Sequence, residues 1–300
     1  MKSINEQATN KVNIVGKLLD TTFATGKTKT GAPYERATAT VRVTQMYGGS
    51  TVPEVSEIPI SMFATEFTTK GAQNPAYKSI QDLKALKTAQ NVGFDEADTV
   101  RFSGATLSEN NFVSKSGQLI NGWQVRASFA GKGSTTDVGS FILDLFIMDM
   151  HPEEDRDGDP TGRLIVKGAL VQYGGNLDVL EFIVEGADKV EYIERNWNIN
   201  DTVTVKGRIR VTSVETKPQM TRSWGEDVPE DTTRMVRELI ITTGDDQGKE
   251  EDFAYDPTEI KKAFNVRKAK IEQLQLDAKN GTSKTPATPV ASTPGKYSWE

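Results

Sequence analysis

The stretch Tyr34-Glu-Arg-Ala-Thr-Ala-Thr-Val-Arg-Val43 alternates between apolar and polar side chains along most of its length. A period of two places successive side chains on opposite faces of a strand, so one face is expected in the core and the other in solvent. The core face comprises Ala37, Ala39, Val41 and Val43, and the outward face comprises Arg36, Thr38, Thr40 and Arg42. The stretch therefore predicts a half-buried β-strand with cations on its outer face.

Similar patterns extend from this strand in both directions. Four further strands are predicted at Lys11 to Asp20, Val55 to Phe63, Thr99 to Leu107 and Asn121 to Phe129. Between the third and fourth strands, Asn74-Pro75 is a helix cap followed by a proline at the first helical position. Tyr77, Ile80, Leu83 and Leu86 then form one apolar helix face. The order β-β-β-α-β-β is that of a five-stranded OB barrel with its helix after the third strand.

The second half of the chain repeats parts of the first. Asp98-Thr-Val-Arg-Phe-Ser-Gly104 has a counterpart in Asp201-Thr-Val-Thr-Val-Lys-Gly207, and Asn13-Ile-Val-Gly16 has one in Ile165-Val-Lys-Gly168. Matched segments in the same order indicate an internal duplication. The strands predicted for the second barrel are Phe141 to Met150, Arg163 to Gln172, Leu177 to Val184, Asp201 to Val211 and Met235 to Thr243, with a helix near Ala187 to Asn196.

The predicted fold class is mainly β, with two tandem OB-fold domains, each a five-stranded Greek-key barrel. Residues 1–135 and 136–250 are assigned to these two domains. A C-terminal helix is expected within residues 251–280, because Asp256-Pro257 supplies a cap and a first-turn proline. Residues 281–300 are low in complexity and predict a disordered tail.

Composition argues against catalysis. The chain has no cysteine and a single histidine, His151, which removes thiolate nucleophiles and the common zinc ligand sets. We therefore expect no enzyme, no cofactor and no metal. There is no apolar run long enough for a membrane span and no apolar signal region at the N-terminus, so a cytoplasmic location is expected.

Charge is distributed unevenly along the chain. The net charge is -6, but residues 1–135 carry 15 Lys+Arg against 11 Asp+Glu, whereas residues 136–300 carry 21 against 31. The basic balance of the first half is compatible with binding to phosphates. The acidic residues of the second half concentrate in predicted loops such as Glu153 to Asp159.

Several segments resemble the single-stranded DNA-binding protein family of bacteria and phages. They are NKVNIVGKLLD at residues 10–20, TGKTKTGAPYE at 25–35, ATATVRV at 37–43, ADTVRFSGATL at 97–107 and SKSGQLINGWQVRASF at 114–129. The resemblance covers about residues 11–130 and implies an OB fold that binds single-stranded DNA in replication, recombination or repair. Two barrels in one chain, and a tail with one acidic residue at its tip, Glu300, depart from the bacterial pattern. They favour a divergent phage-type protein, acting in the host cytoplasm.

The candidate nucleic-acid-binding residues are cations on outward strand faces or in the first turn, and one aromatic residue. Cations track the phosphates of a single strand, and aromatic rings stack on its bases. The candidates are Lys17, Lys27, Lys29, Tyr34, Arg36, Arg42, Arg101 and Arg126 in the first half, and Lys206, Arg208 and Arg210 in the second. Trp123 and Phe102 share the parity of apolar neighbours, so we assign them to the core.

Alternatives to this interpretation remain open at this stage. Outward arginines and lysines are commonly just solvated. An OB barrel can also serve as a protein-contact module, which makes a structural or assembly protein without DNA binding the main alternative. A nuclease using the acidic loops is the weakest alternative. The tail, with Tyr297 and Trp299, is a candidate docking peptide for replication or recombination proteins. The sequence does not predict an oligomeric state.

Overall fold

A computed structural model gives the architecture of the chain. It describes residues 1–47, 50–114, 117–134, 136–155, 157–216 and 232–280. The predicted disordered tail at residues 281–300 lies outside the described residues. The described chain is mainly β, with one large sheet and a long C-terminal helix.

The first half of the chain forms a closed ring of five strands, called here the first ring. In ring order, each strand pairs with the next: β1, β2, β3, β7, β4 and back to β1. All contacts are antiparallel except that between β3 and β7. The strands are β1 (Asn10–Lys27), β2 (Pro33–Gln45), β3 (Glu54–Thr65), β4 (Thr99–Glu109) and β7 (Trp123–Arg126).

Smaller elements fill the connections of the first ring. Two helices link β3 to β4, and a short hairpin links β4 to β7. The elements are α1 (Pro75–Leu83), α2 (Ala89–Val92), β5 (Phe112–Val113), β6 (Leu119–Ile120) and β8 (Phe129–Lys132). The Asn74 side chain caps α1 by accepting a hydrogen bond from the Ala76 amide at 3.0 Å, as the sequence predicts.

The second half forms another closed ring with the same strand order, called here the second ring. Its strands pair as β9, β10, β11, β13, β12 and back to β9, and again one contact, β11 with β13, is parallel. A helix, α3 (Ala187–Asn196), precedes β12 and coincides with the predicted helix. The strands are β9 (Val138–Glu154), β10 (Pro160–Val171), β11 (Leu177–Val184), β12 (Thr202–Thr216) and β13 (Thr232–Gly244).

The two rings share one sheet. The start of β1, Asn10 to Val15, pairs antiparallel with Leu143 to Val138 of β9. One hydrophobic cluster of buried residues runs through both rings. The domain limits inferred from sequence at residues 135, 250 and 280 stay predictions, because the rings are joined through both the sheet and the core.

The last predicted strand of the first half, Asn121 to Phe129, is wrong in extent. The structure divides it into β7, which pairs with Thr106 to Glu109 of β4, and β8, which pairs with Val100 to Ser103. Gly104, with a φ of 59°, separates the two paired stretches. A Cβ at this position would lie 3.2 Å from Cβ of Ser128. A left-handed glycine at this position lets β4 change partners without steric cost. Trp123 is 8% exposed and lies in the core, as predicted from its parity.

The C-terminal helix, α4 (Pro257–Lys279), packs against both rings. Asp256 caps it by accepting a hydrogen bond from the Thr258 amide at 2.7 Å. Buried Ile260 anchors the first turn in the common core. Further along, the Arg267 guanidinium is ion-paired with Glu109 at the end of β4. The helix therefore contacts the protein where the β4–β7 connection begins.

Gly207 offers a test of the close packing inside the second ring. A Cβ at this position would lie 2.1 Å from the Ile240 carbonyl oxygen and 2.3 Å from Cζ of Phe141. We expect Gly207→Ala to lower the free energy of unfolding in urea by about 1–3 kcal/mol, because backbone and core must shift to accept the methyl group. Gly131→Ala is the matched control, since nothing lies within 4 Å of its Cβ position. Equal stability of the two variants would contradict this packing.

Candidate nucleic-acid interface

The outer surface of β2 and β3 gathers several of the candidate residues. Strand register pairs Tyr34 with Thr65 and Arg36 with Phe63. It also pairs Arg36 with Ala24 of β1. Their neighbours Ala37 and Ala64 are buried, so the alternation of the strands turns these side chains outward.

Tyr34, Arg36 and Phe63 form a compact group, called here the aromatic cluster. The rings of Tyr34 and Phe63 have centroids 5.1 Å apart and are tilted by 41°. The Arg36 guanidinium carbon lies 5.7 Å from the Tyr34 centroid and 5.8 Å from the Phe63 centroid. Phe63 is 53% exposed. Such exposure removes core packing as the reason for an aromatic residue at this point.

Gly26 leaves space for the Tyr34 side chain of the aromatic cluster. It pairs with Tyr34 across β1 and β2, and a Cβ at Gly26 would lie 2.6 Å from the Tyr34 hydroxyl oxygen. The Tyr34 ring therefore lies flat across the glycine backbone. Any larger residue at position 26 would lift the ring away from the sheet.

Three exposed cations, Lys27, Lys29 and Arg126, border the aromatic cluster. Lys27 ends β1, and Lys29 lies in the turn to β2, which is closed by a hydrogen bond from the Thr28 amide to the Ala32 carbonyl at 2.8 Å. Arg126 of β7 lies beside Ser61 of β3 in the parallel register. Arg101 is exposed on β4 but pairs with Val15 of β1, nine residues from Ala24, the partner of Arg36, so it lies away from the cluster. Lys27, Lys29, Arg36, Arg101 and Arg126 form no ion pair with any other residue that the structure describes.

Two candidates at the opposite end of the same strands are engaged within the protein. Arg42 binds Oε1 of Glu57 through Nε at 3.2 Å and Nη2 at 2.6 Å, and its guanidinium lies 5.0 Å from the Phe94 ring centroid. Lys17 donates to the carbonyl oxygens of Asp95 at 3.2 Å and Ala97 at 2.8 Å. These contacts hold the loop that precedes β4.

The three candidate residues of the second ring differ in their exposure to solvent. The sequence interpretation of Lys206, Arg208 and Arg210 as a single outward basic face needs correction, because only Lys206 is exposed. Arg208 is 9% exposed and lies over the Tyr47 ring at 4.6 Å. Both arginines belong to an inter-ring ion-pair network whose members are Arg163, Arg208, Arg210, Glu54, Glu153, Glu185 and Glu238.

Arg210 is the centre of this network. Its guanidinium contacts Glu54 at 2.9 Å, Glu185 at 2.7 Å and Glu238 at 3.0 Å. Glu54 comes from β3 of the first ring, whereas Glu185 and Glu238 come from the second ring. The network contains three arginines and four glutamates, so it has no cationic surplus to offer a phosphate.

The network shifts the protonation equilibria of its members. Burial alone would raise the pKa of Glu185, but hydrogen bonds and charge from Arg210 and Arg208 outweigh it and hold the pKa below the ordinary 4.5. The hydrogen bond from Arg163 lowers the pKa of Glu153. Burial, followed by the charge of Glu54, raises the pKa of the Tyr47 hydroxyl to about 12. These glutamates are therefore charged at neutral pH.

The outer surface of β9, β10 and β11 corresponds in strand order to the face that carries the aromatic cluster, and it is acidic. Asp149 pairs with Lys167, and Lys167 pairs with Glu181, in the register of the three strands. The Lys167 ammonium lies 3.8 Å from Glu181, and His151 Nδ1 lies 3.1 Å from Asp149. The equivalent faces of the two rings thus differ in charge, and the second lacks an exposed aromatic pair among the described residues.

Sequence reasoning missed Phe63. It ends the predicted strand Val55 to Phe63, in which Ile58, Ile60 and Met62 alternate as apolar residues and are at most 3% exposed. Phe63 has the opposite parity, so the same alternation already indicates an outward aromatic side chain. Its neighbour across the strands, Arg36, was identified.

The architecture is that of known single-stranded DNA-binding proteins. The structure of the wild-type protein from Thermus aquaticus shares the fold, with a TM-score of 0.50 and 12% identity over 82% of this chain and 96% of that chain. A deletion mutant of the same protein gives a TM-score of 0.49 and 14% identity, covering 84% and 98%. A small single-stranded DNA-binding protein from Streptomyces coelicolor gives 0.25 and 15% identity, covering 41% and 95%.

At the level of sequence, the chain belongs to the YorF family, whose family model matches residues 8–277. Comparison with curated proteins finds no match. Within the described residues, no helix is long and apolar enough to cross a membrane.

The inter-ring network makes a prediction about stability. We expect Arg210→Leu to lower the free energy of unfolding at pH 7 by about 1–3 kcal/mol, because three glutamates lose a partner in a half-buried position. Arg195→Leu is the control and should cost no more than about 0.5 kcal/mol, since Arg195 and Glu191 form a pair whose side chains are each 71% exposed.

Acidification should reduce the effect of Arg210→Leu. Folding lowers the pKa of Glu185, so its stabilising contribution is complete above the ordinary value of 4.5 and is lost as the pH falls through the folded-state pKa. Urea unfolding of both proteins from pH 7 downward should therefore show a difference that shrinks below about pH 4.5. A difference that is independent of pH would contradict the role of these carboxylates.

Proposed function

We propose that this protein is a non-catalytic, single-stranded DNA-binding protein, and that each of its two rings is an OB barrel. The main contact is the outer face of β2 and β3 in the first ring. The observation that carries the proposal is the aromatic cluster, in which the half-buried Tyr34 ring and the exposed Phe63 ring lie next to the Arg36 guanidinium. The shared fold with a Thermus single-stranded DNA-binding protein supports it.

The aromatic cluster fits the chemistry of unpaired bases. Every base has a flat π-face, so stacking on aromatic rings is tolerant of sequence and contributes about 1–3 kcal/mol per base. Bases in a duplex are already stacked on each other and are not available to Tyr34 or Phe63. The cluster therefore favours single strands over duplex.

The cations near the cluster fit the backbone of the same strand. Lys27 and Lys29 border it on the turn side, and Arg126 borders it on the β7 side. Because these groups have no ion-pair partner among the described residues, they are available to phosphates. Release of counterions from each neutralised phosphate makes such binding weaken with added salt.

The acidic outer face of the second ring favours a division of roles. Asp149 and Glu181 flank Lys167 on the corresponding face of the second ring and would repel a phosphate backbone. Arg208 and Arg210 are occupied by glutamates. We therefore assign the primary contact to the first ring alone. We assign Lys206 and Arg101, which are both exposed, to the periphery of the DNA-binding surface.

The proposal also includes a biological role. A binder of single strands acts wherever duplex DNA is opened, in replication, recombination or repair. The sequence pattern of two barrels favours a phage-type protein of the host cytoplasm. The tail with Tyr297 and Trp299 is assigned to docking of replication or recombination proteins, and no cofactor is required.

Fluorescence anisotropy of a labelled poly-dT oligonucleotide tests the proposal directly. We expect salt-sensitive binding that duplex DNA does not displace. Phe63→Ala and Tyr34→Ala should each weaken the affinity by about tenfold, because each removes one stacking platform. Lys27→Gln should weaken it less and reduce the slope of log affinity against log salt by about 0.7, the value for one lost phosphate contact on a single strand.

Phe253→Ala is the matched control for Phe63→Ala. Phe253 is 64% exposed but lies in the turn before α4, away from β2 and β3, so its removal should leave the affinity unchanged. Absence of binding by the wild-type protein at low salt would instead support a structural or assembly role. Metal-dependent cleavage of the oligonucleotide would support the nuclease alternative.

A further inference from the structure

A strongly exposed tyrosine lies at the turn between β10 and β11. Tyr173 is 84% exposed, the largest exposure among the large hydrophobic and aromatic side chains of the described residues. It begins a tight turn between β10 and β11, in which Gly174 and Gly175 both have a φ of 73°. The turn presents the ring to solvent without any contribution to the core.

The turn forms one wall of a cleft of about 440 Å³, and α4 forms the other wall. Lys270 of α4 bridges the two walls by donating from Nζ to Oδ1 of Asn176 at 3.0 Å. Val266 of α4 lines the cleft and is 57% exposed. The cleft therefore combines an apolar surface with a cation and has a tyrosine at its turn.

The carboxylates of the cleft are already engaged. Glu109 is bound by the Arg267 guanidinium, with Nε to Oε2 at 2.8 Å. Asp178 accepts hydrogen bonds from Gln172 Nε2 at 2.9 Å and from the Glu109 amide at 3.1 Å. Burial raises the pKa of Asp178. Neither group presents a free anion to the mouth of the cleft.

The outward face of α4 is basic, although the chain before it is acidic. Residues 136–256 carry 13 Lys+Arg against 27 Asp+Glu, whereas α4 carries six against three. Three acids are spread along the helix, and Glu259 among them is used to bind the Ile4 amide at 2.9 Å. The exposed cations of the helix are Lys261, Lys262, Lys268, Lys270 and Lys279.

Contacts between successive elements link the cleft to the face that carries the aromatic cluster. α4 contacts β5, and β5 belongs to the connection between β4 and β7. β7 in turn carries Arg126, which lies beside β3. A strand that leaves the β3 side of the first ring past Arg126 thus meets the β5–β6 connection and then α4.

We propose that the cleft between α4 and the Tyr173 turn is a second contact for the same nucleic-acid strand, with Tyr173 stacking on a base and the lysines of α4 binding phosphates. The inference rests on the proposed function of the first ring and extends its binding path. It predicts that the protein contacts a longer strand than the first ring alone can cover, without use of the acidic outer face of the second ring.

Two lengths of poly-dT separate the two contacts. One OB barrel covers about 4–16 nucleotides, so an oligonucleotide of about 8 probes the first ring and one of about 30 probes both contacts. The test variant combines Tyr173→Ala with Lys270→Glu, because Lys270 lines the cleft. The matched control combines Tyr192→Ala with Lys189→Glu, an exposed tyrosine and lysine on α3. Affinity and its salt dependence are measured by anisotropy for the full-length proteins.

We expect the test variant to bind the long oligonucleotide about tenfold more weakly than wild type and the short one equally well, with no change in the control. Phe63→Ala should weaken both lengths. Equal affinity of the test variant and wild type for both lengths, with the wild type binding normally, would overturn the second contact and leave the proposed function intact. Failure of the wild type to bind either length would overturn the proposed function itself.

Discussion

Strand β1 is the element on which the rest of the structure depends. It runs for 18 residues and pairs with β2, β4 and β9. Residues 12–17 pair with β4 and close the first ring, and residues 17–27 pair with β2. The first six residues also attach the first ring to the second. Because buried backbone groups must find hydrogen-bond partners, each pairing of β1 fixes the position of another strand. The place of β2, and so of Tyr34 and Arg36, follows from this register.

The two rings use one topology for different purposes. In the first, the outward face near Tyr34 carries an exposed aromatic ring and cations that form no ion pair with the residues the structure describes. In the second, the arginines turn toward glutamates from both rings, and the sheet surface is acidic. Arginines that are equivalent in the sequence therefore have different environments in the fold. Arg36 lies over two aromatic rings, whereas Arg210 lies among three carboxylates.

Local patterns predicted much of this arrangement. Alternation in residues 34–43 identified β2 and its outward face, and the caps at Asn74 and Asp256 identified the starts of α1 and α4. The burial of Trp123 followed from its parity. The outward parity of Phe63 was equally available and was not used.

Long-range contacts were beyond the reach of the sequence. Arg208 and its partner Glu54 are 154 positions apart, and no local periodicity reports such a pairing. The division of the predicted strand at residues 121–129 likewise depends on Gly104, which lies on a different strand. The cleft beside α4 arises only when the turn at Tyr173 and the helix are brought together by folding.

The strand pairing between β1 and β9 also governs how the protein can be divided. A fragment that ended before β9 would leave residues 10–15 of β1 with unpaired amides and carbonyls along an open edge. Open edges of this kind recruit other chains and promote aggregation. Because the two rings share this strand pairing, neither ring is suited to fold alone or to be transferred to another protein.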